Sequence, residues 1–194
     1  MRFLLGLLVL VLPLAIVAAP VPTHIMPKDD PVCYPLRVGD RTVFQAGENE
    51  NVSTVTKVEK VESGFQVTSE VLDGVRKTSY LQIAIVSVRG VSVIEYAGQK
   101  IDPPVWWLQL PHKHKNEWKG AWPNGYSMAF ESIGWEQVEV PAGKYRAIRV
   151  ERKDHLNGEL AGTTTYWYAP RLGCIKLITK GSTRALKSFT PGKG

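Results

Sequence analysis

The chain of 194 residues lacks the short motifs by which many catalytic and nucleotide-binding sites are recognised. It contains no Gly-x-Ser-x-Gly elbow, no His-Glu-x-x-His pair, no phosphate-binding Gly-x-x-x-x-Gly-Lys loop and no Gly-x-Gly-x-x-Gly turn. The enzyme classes that these motifs mark are therefore not indicated. The absences favour a protein without catalysis, and they predict no cofactor.

Long apolar runs are missing after the first nineteen residues, and none approaches the roughly 20 residues of a membrane-spanning helix. Residues 1–19 combine an early positive charge, an apolar stretch and the small residues Ala18 and Ala19, a pattern typical of a signal peptide cleaved before Pro20. The alternative is an uncleaved membrane anchor, although the run is short and Pro13 interrupts it. We expect an exported protein, in the periplasm or outside the cell, without a transmembrane helix in its mature chain.

Dense blocks of one charge are also absent. The net charge is +6, and loss of the leader with its single arginine would lower it by one. Scattered basic residues are compatible with attraction to an anionic envelope surface. Nucleic-acid binding would require a denser basic patch on a recognisable module, so no nucleic-acid partner is predicted.

Cysteine is scarce, with only Cys33 and Cys174 in the chain. An even number is compatible with a disulfide in an exported protein, and a Cys33–Cys174 bridge would tie the start of the domain to its end. Cysteine also packs as a small buried hydrophobe, so two buried thiols are the alternative. The residues alone leave both interpretations open.

Amphipathic helical patterns are not found after the leader, whereas turn signals recur at short intervals. Asp73-Gly74, Asn124-Gly125 and Asn157-Gly158 are strong hairpin signals, and the runs between them are rich in β-branched and aromatic residues. Some runs, such as residues 82–88, are apolar on both faces and must be covered on both sides. This pattern predicts an antiparallel meander that curls over itself.

The predicted fold class is therefore all-β, with few or no helices after the leader. We expect a single strongly curved antiparallel sheet or an open half-barrel over residues 34–190. Residues 20–33 contain four prolines and no periodicity, which predicts an extended proline-rich arm before the sheet.

The stretch VPAGKYRAIRVERK at residues 140–153 could be mistaken for a catalytic or phosphate-binding motif. Pro141 lacks an amide hydrogen and Gly143 permits a turn, so the stretch predicts the start of a strand. Because the apolar residues Ala147 and Ile148 are adjacent, strict alternation fails there, and we expect a β-bulge at that point. The motif is interpreted as structural.

Three segments carry a resemblance to a known family: YPLRVGD at 34–40, VPAGKYRA at 140–147 and YWYAPRLG at 166–173. They resemble the Tyr-Pro-Leu-x-x-Gly, Val-Pro-Ala-Gly and Tyr-Trp-Tyr-Ala-Pro motifs of a family of bacterial exported domains of unknown function. The resemblance spans roughly Tyr34 to Leu177. It implies a curved sheet similar to the half-barrel of periplasmic lipoprotein carriers, and it implies no activity, because fold does not fix function.

Few groups could carry chemistry. His112 and His114 share a strand face and could reach one metal ion, but a metal site needs three or four ligands, so a solvated basic loop is favoured and no metal is predicted. Asp154 and His155 pair an acid with a base beside a turn, without a marked nucleophile. If the protein is a hydrolase that the motifs do not reveal, these histidines or the Asp154-His155 pair are the candidate catalytic residues. Paired carboxylates for glycoside hydrolysis could come from Glu131, Glu136 and Glu139.

The tryptophans are the strongest candidates for a ligand site. Large aromatic residues are ordinary core material, so the favoured interpretation is a plug at the open end of the sheet. Alternatively, some of them line an apolar cleft for a lipid, an acyl chain or a glycan. The candidate ligand-binding residues are Trp106, Trp107, Trp118, Trp122, Trp135 and Trp167.

These observations predict an exported, non-catalytic envelope protein that holds an apolar ligand, such as a lipid or an acyl chain, on the concave face of its sheet. The alternative from a different class is a structural module of the envelope, or one that binds a protein partner. An unrecognised hydrolase is the third hypothesis.

Overall fold

A computed structural model describes residues 33–122 and 125–193, and within these ranges the chain forms twelve strands and no helix. The predicted leader and all of the predicted arm except its last residue lie outside the described residues. No described residue belongs to a helix that could span a lipid bilayer. The strands are β1 (Arg41–Ala46), β2 (Asn49–Val61), β3 (Gly64–Asp73), β4 (Thr78–Ser87), β5 (Gly90–Tyr96), β6 (Gln99–Gln109), β7 (Asn116–Ala121), β8 (Tyr126–Val140), β9 (Gly143–Leu156), β10 (Glu159–Ala169), β11 (Gly173–Thr179) and β12 (Ser182–Thr190).

All twelve strands belong to one antiparallel sheet, which is nearly closed into a barrel with a single seam. The strand order is β6-β5-β4-β3-β2-β1-β12-β11-β10-β9-β8-β7, so β6 and β7 face each other across the seam. Apart from β6 and β7, strands that are adjacent in the chain pair with each other, and β1 pairs with β12 to join the two halves. The predicted all-β fold with one curved antiparallel sheet is confirmed.

Side chains hold the seam where the backbone ladder is missing. The indole Nε1 of Trp118 on β7 donates a hydrogen bond to the Trp106 carbonyl oxygen on β6, over 2.8 Å. Gly120 packs so closely on Val105 that an added Cβ would lie 3.0 Å from a methyl carbon of that residue. The Trp118 ring also stacks on Phe130, with 5.3 Å between ring centroids. The two edge strands are therefore in direct contact.

One part of the interior is packed with apolar side chains, and we call it the packed region. Its buried members include Val93, Leu108, Phe130 and Ile148. Cys33, the last residue of the predicted arm, is buried among them with 1% of its surface exposed. The chain therefore already lies inside the sheet at residue 33, before the first strand begins. Tyr34 and Leu36 continue this inner path against a smaller cluster of Val55, Val67 and Val86.

A third apolar cluster forms where the end of the β8–β9 hairpin folds onto β12. The amide of Ala142 donates to the Leu186 carbonyl oxygen over 3.0 Å, and the Tyr145 hydroxyl donates to the Ala142 carbonyl oxygen, also over 3.0 Å. Tyr145 is buried, as are Trp167 and Ile175 in the same cluster. The hairpin end therefore covers part of the sheet that would otherwise face solvent.

Strand β9 begins at Gly143 as the sequence predicts, but the expected bulge at Ala147 and Ile148 is wrong. Both residues are fully buried and pair regularly with their neighbours, because Ala147 belongs to the third cluster and Ile148 to the packed region. A strand covered on both faces needs no bulge to bury adjacent apolar residues. The irregularity lies on the partner strand β8, where Ile133 is the extra residue between Ser132 and Gly134.

Candidate ligand cavity

Beside the packed region, the curved sheet encloses a cavity of about 650 Å³. Tyr34 and Pro35, on the inner segment of the chain, form part of its lining. Arg76, Gln99 and Ser182 also line it, and they are exposed residues next to hairpin turns, so the cavity opens at that end of the sheet. Its volume falls within the roughly 300–1,000 Å³ of typical small-molecule sites.

Aromatic side chains form one wall of the cavity. The hydroxyls of Tyr80 on β4 and Tyr96 on β5 lie 2.7 Å apart in a hydrogen bond. The Tyr96 ring centroid is 6.4 Å from that of Trp107 and 5.7 Å from that of Trp122. All four residues line the cavity. We call them the aromatic wall, and their faces and edges suit the flat or apolar body of a small molecule.

A β-bulge directs Trp107 toward this wall. Leu108 pairs with Val91 and Trp106 pairs with Ser92, which leaves Trp107 as the extra residue of the bulge. Bulges commonly redirect a side chain in this way. Trp106 takes another direction, with the Arg89 guanidinium 5.7 Å from its ring.

The second half of the chain supplies a wall that carries positive charge. The Arg152 guanidinium lies 5.3 Å from the Tyr166 ring, and its Nη2 forms an ion pair with Asp154 over 2.9 Å. Arg184 also lines the cavity, and its Nη2 lies 4.0 Å from the Asp73 carboxylate, the limit of an ion pair. We call Arg152 and Arg184, with Tyr166, the basic wall.

The charge of the lining is positive overall. Three arginines line the cavity, the third being Arg76 at the opening, against a single carboxylate, that of Asp40. The Asp40 oxygens already accept hydrogen bonds from the amides of Arg37 and Gly192, over 2.9 and 2.8 Å. Burial raises the pKa of Tyr166 to about 12, so this phenol stays neutral at physiological pH. Asp154 and Asp73 pair with Arg152 and Arg184 from outside the lining, so the charge of these guanidinium groups is partly compensated, although the guanidinium groups are the ones that face the cavity.

Two buried donors of the lining have no hydrogen-bond partner among the described residues. They are Nε1 of Trp107 and Nε of Arg152. Buried polar groups are almost always paired, and an unpaired donor costs stability. The only other such side-chain atom in the described part of the chain is Nε of Arg149, which is not part of the lining. These two donors belong to residues of the cavity lining, and each lacks an acceptor among the described residues.

The two cysteines are not joined by a disulfide in the structure, and Cys33 is buried whereas Cys174 is partly buried. Cys33 lies in the packed region, whereas Cys174 lines the cavity. Burial raises the pKa of the Cys174 thiol to about 12. The thiol is therefore protonated at neutral pH and is a poor nucleophile.

The six predicted tryptophans divide between several environments. Trp107 and Trp122 line the cavity, and Trp118 holds the seam. Trp135 is 38% exposed and lies under the Arg146 guanidinium, 5.0 Å from its ring centroid. The remaining two are Trp106, which contacts Arg89, and Trp167, which is buried in the third cluster and donates to a Glu136 oxygen. They form neither one plug nor one cleft, and ligand binding by them stays a prediction.

The two histidines of the β6–β7 loop are held against the β8 bulge. His112 Nδ1 lies 2.7 Å from the Ser132 hydroxyl, and His114 Nδ1 lies 2.6 Å from the Ile133 carbonyl oxygen. Partial burial lowers the pKa of His112, and the charge of His114 adds to this effect. Within the described ranges, no three His, Cys, Asp or Glu residues come together as a potential metal site.

The contact between Ser132 and His112 carries no signal in the sequence, because the two residues are 20 positions apart and meet only through strand pairing. It joins a hydroxyl to a potential base, as in nucleophilic catalysis. However, Ser132 is only 1% exposed and lines neither the cavity nor the pocket beside it. A substrate would not reach this hydroxyl.

The predicted acid–base pair Asp154 and His155 is not assembled. Neighbouring residues of a strand point to opposite faces, and the Asp154 carboxylate is bound by Arg152. Asp154 and Arg152 line a smaller pocket of about 390 Å³ next to the cavity, together with Trp122. Glu139 forms an exposed ion pair with Lys144 on the neighbouring strand, over 3.5 Å.

The fold is shared with solved structures of other proteins. One is a crystal structure of a predicted exported protein with a YmcC-like fold from Bacteroides fragilis, with a TM-score of 0.58 and 15% sequence identity over 81% of this chain and 98% of that one. Another is a crystal structure of a predicted lipoprotein from Parabacteroides distasonis, with a TM-score of 0.56 and 16% identity over 84% of this chain and 100% of that one. At such identities the likeness concerns the fold.

No family profile matches the chain, and no curated protein matches it in sequence. The motif resemblance to a family of exported domains, and the analogy with the carrier half-barrel, therefore stay predictions.

Proposed function

We propose that this protein is an exported, non-catalytic protein of the cell envelope that holds a small ligand in its cavity. The observation that carries the proposal is a cavity of about 650 Å³ that opens to solvent and whose lining contains two unpaired buried donors. Export is supported by the leader pattern of residues 1–19. It is also supported by the description of the two similar structures as an exported protein and a lipoprotein.

The ligand has an apolar or planar part that lies against the aromatic wall. Tyr96, Trp107 and Trp122 offer ring surface within one continuous cluster. An acyl chain or a ring system would displace water from this surface, which is favourable in proportion to the apolar area that is buried. Of the six tryptophans that the sequence suggests as ligand-binding residues, the proposal retains the two that line the cavity.

Three observations support the absence of catalysis. The Ser132 hydroxyl is buried away from both pockets. The Asp154 carboxylate is engaged by Arg152 instead of orienting His155. The Cys174 thiol, which does line the cavity, is held protonated.

A neutral fluorescent probe, N-phenyl-1-naphthylamine, tests whether the cavity accepts a ligand. Val71 lines the cavity, so Val71→Trp would fill part of it, whereas Val88 is 74% exposed and Val88→Trp is the matched control. We expect saturable binding to the wild type and unchanged binding to Val88→Trp. Binding to Val71→Trp should be at least about tenfold weaker, which corresponds to a loss of about 1.4 kcal/mol or more in binding free energy.

Thermal unfolding of both variants would verify that they are folded. Absence of saturable binding to the wild type, or equal binding to the filled and control variants, would contradict the proposal.

A further inference from the structure

We propose that the cavity selects an anionic ligand, whose carboxylate, phosphate or sulfonate group binds Arg152 and the Trp107 indole N–H while its body lies on the aromatic wall. This inference rests on the proposed function and specifies the chemistry of the ligand. Three features carry it: the charge of the lining, the unpaired donors and the loose ion pair of Arg184.

The first feature is an excess of arginines over carboxylates in the lining of a partly enclosed space, with Asp154 and Asp73 pairing with two of the arginines from outside the lining. Arg76, Arg152 and Arg184 line the cavity, and Asp40 is the one acidic residue in its lining. Each oxygen of the Asp40 carboxylate accepts a hydrogen bond from a backbone amide, which holds this group to the chain. Charges interact more strongly where water is limited than in bulk solvent. A neutral apolar ligand would form no ion pair with these guanidinium groups.

The second feature is the pair of orphaned donors. Arg152 uses Nη2 to bind Asp154, and its buried Nε has no partner among the described residues. The guanidinium carries a positive charge, so an unused Nε–H can donate a charge-assisted hydrogen bond to a carboxylate or phosphate oxygen. The indole N–H of Trp107 is donor-only and is also unpaired. Both N–H groups are hydrogen-bond donors, so the group of the ligand that binds them must be a hydrogen-bond acceptor.

The third feature is the weak engagement of Arg184 at the same wall. Its Nη2 is 4.0 Å from the Asp73 carboxylate, whose other oxygen accepts the amides of Val75 and Arg76 over 3.0 and 3.1 Å. Asp73 is therefore fixed by the β3–β4 turn, and Arg184 can turn toward an incoming anion without breaking a short hydrogen bond. Together with Arg76 at the opening, it would draw anions into the cavity.

Two matched probes separate charge from apolar shape. 1-Anilinonaphthalene-8-sulfonate carries the ring system of N-phenyl-1-naphthylamine plus one sulfonate. We expect the wild type to bind the anionic probe at least about tenfold more tightly than the neutral one, because hydrogen bonds to charged groups are stronger than neutral ones. Val71→Trp should weaken both probes, since both occupy the cavity.

Three variants test the assigned residues in opposite directions. Arg152→Gln should remove the preference for the anionic probe and change the neutral probe less than about twofold. Asp154→Asn releases Arg152 from its partner, so binding of the anionic probe should tighten by about threefold or more.

Arg149→Gln is the matched control. Arg149 lies on the same strand, pairs with Glu151, carries a similarly unpaired Nε and does not line the cavity.

The outcomes distinguish this inference from the proposed function. Equal binding of the two probes by the wild type, or a preference that survives Arg152→Gln, would overturn the anion inference and leave a cavity for neutral ligands. Anionic binding that Arg149→Gln weakens as much as Arg152→Gln would overturn it too, because the effect would then be general charge. If neither probe binds, or if Val71→Trp changes neither, the proposed function fails as well.

Discussion

The packed region and the cavity occupy the same curved sheet, yet their linings follow different rules. The packed region holds Leu108, Ile148 and Val93 with essentially no exposed surface, and it contains the carbon-rich interior that stabilises small domains. The cavity is lined by tyrosine hydroxyls, amides and guanidinium groups, including Gln82 and Arg152. Polar groups enclosed in this way contribute little to stability and are costly when unpaired. The difference leads us to expect that the packed region contributes more to the stability of the fold than the lining of the cavity does.

This comparison is tested most strongly by truncation in the packed region. Leu108 is completely buried, so Leu108→Ala removes packed methyl groups and leaves a cavity. We expect the free energy of unfolding to fall by about 2–5 kcal/mol, measured by urea denaturation. The control is Leu81→Ala, because Leu81 is 46% exposed, and its change should stay within about 0.5 kcal/mol. Similar losses in the two variants would mean that the packed region is not the source of stability.

The seam should give an intermediate effect. Trp118→Phe keeps a ring against Phe130 but removes the N–H donated to the Trp106 carbonyl oxygen. We expect a loss of about 1–3 kcal/mol in the free energy of unfolding, because that carbonyl is left without its partner. Trp135→Phe, at an exposed position, is the control and should cost less. A negligible loss for Trp118→Phe would show that the seam is not held by this bond.

The smallest effect is expected for a hydroxyl of the cavity. Tyr80→Phe removes the bond to the Tyr96 hydroxyl, which can turn to water in the open cavity, so the loss should stay below about 1 kcal/mol. The same substitution at Tyr145, buried in the third cluster, leaves the Ala142 carbonyl unpaired and should cost more. Thermal or urea unfolding of the two variants measures the difference. A larger loss at Tyr80 than at Tyr145 would reverse the comparison.

Much of the fold could be predicted because its signals are local. Asp73-Gly74 and Asn157-Gly158 mark hairpins, and alternation between them marks strands, so a meander follows without knowledge of distant contacts. The double burial of adjacent Ala147 and Ile148 was misinterpreted as a bulge, because the sequence does not reveal that the β8–β9 hairpin folds back to cover the second face.

The candidate site was harder to predict because it depends on register and on long-range pairing. Trp107 faces the cavity only because a bulge opposite β5 redirects it. Cys33, which the sequence places in the proline-rich arm, is buried inside the sheet, and Tyr34 next to it lines the cavity. Arg152 lines the cavity and Arg149 does not, although nothing in the neighbouring sequence distinguishes the two arginines.

The order of the strands divides the molecule into two consecutive meanders of six, the first ending with β6 and the second beginning with β7. The first meander provides Tyr80, Tyr96 and Trp107, and the second provides Arg152 and Arg184. Neither half of the polypeptide therefore carries all of the lining residues that we propose to bind the ligand. The halves meet twice, through the backbone ladder between the first and last strands and through side chains between the two central strands of the chain. The proposed site thus requires both halves of the chain to be present in one closed sheet.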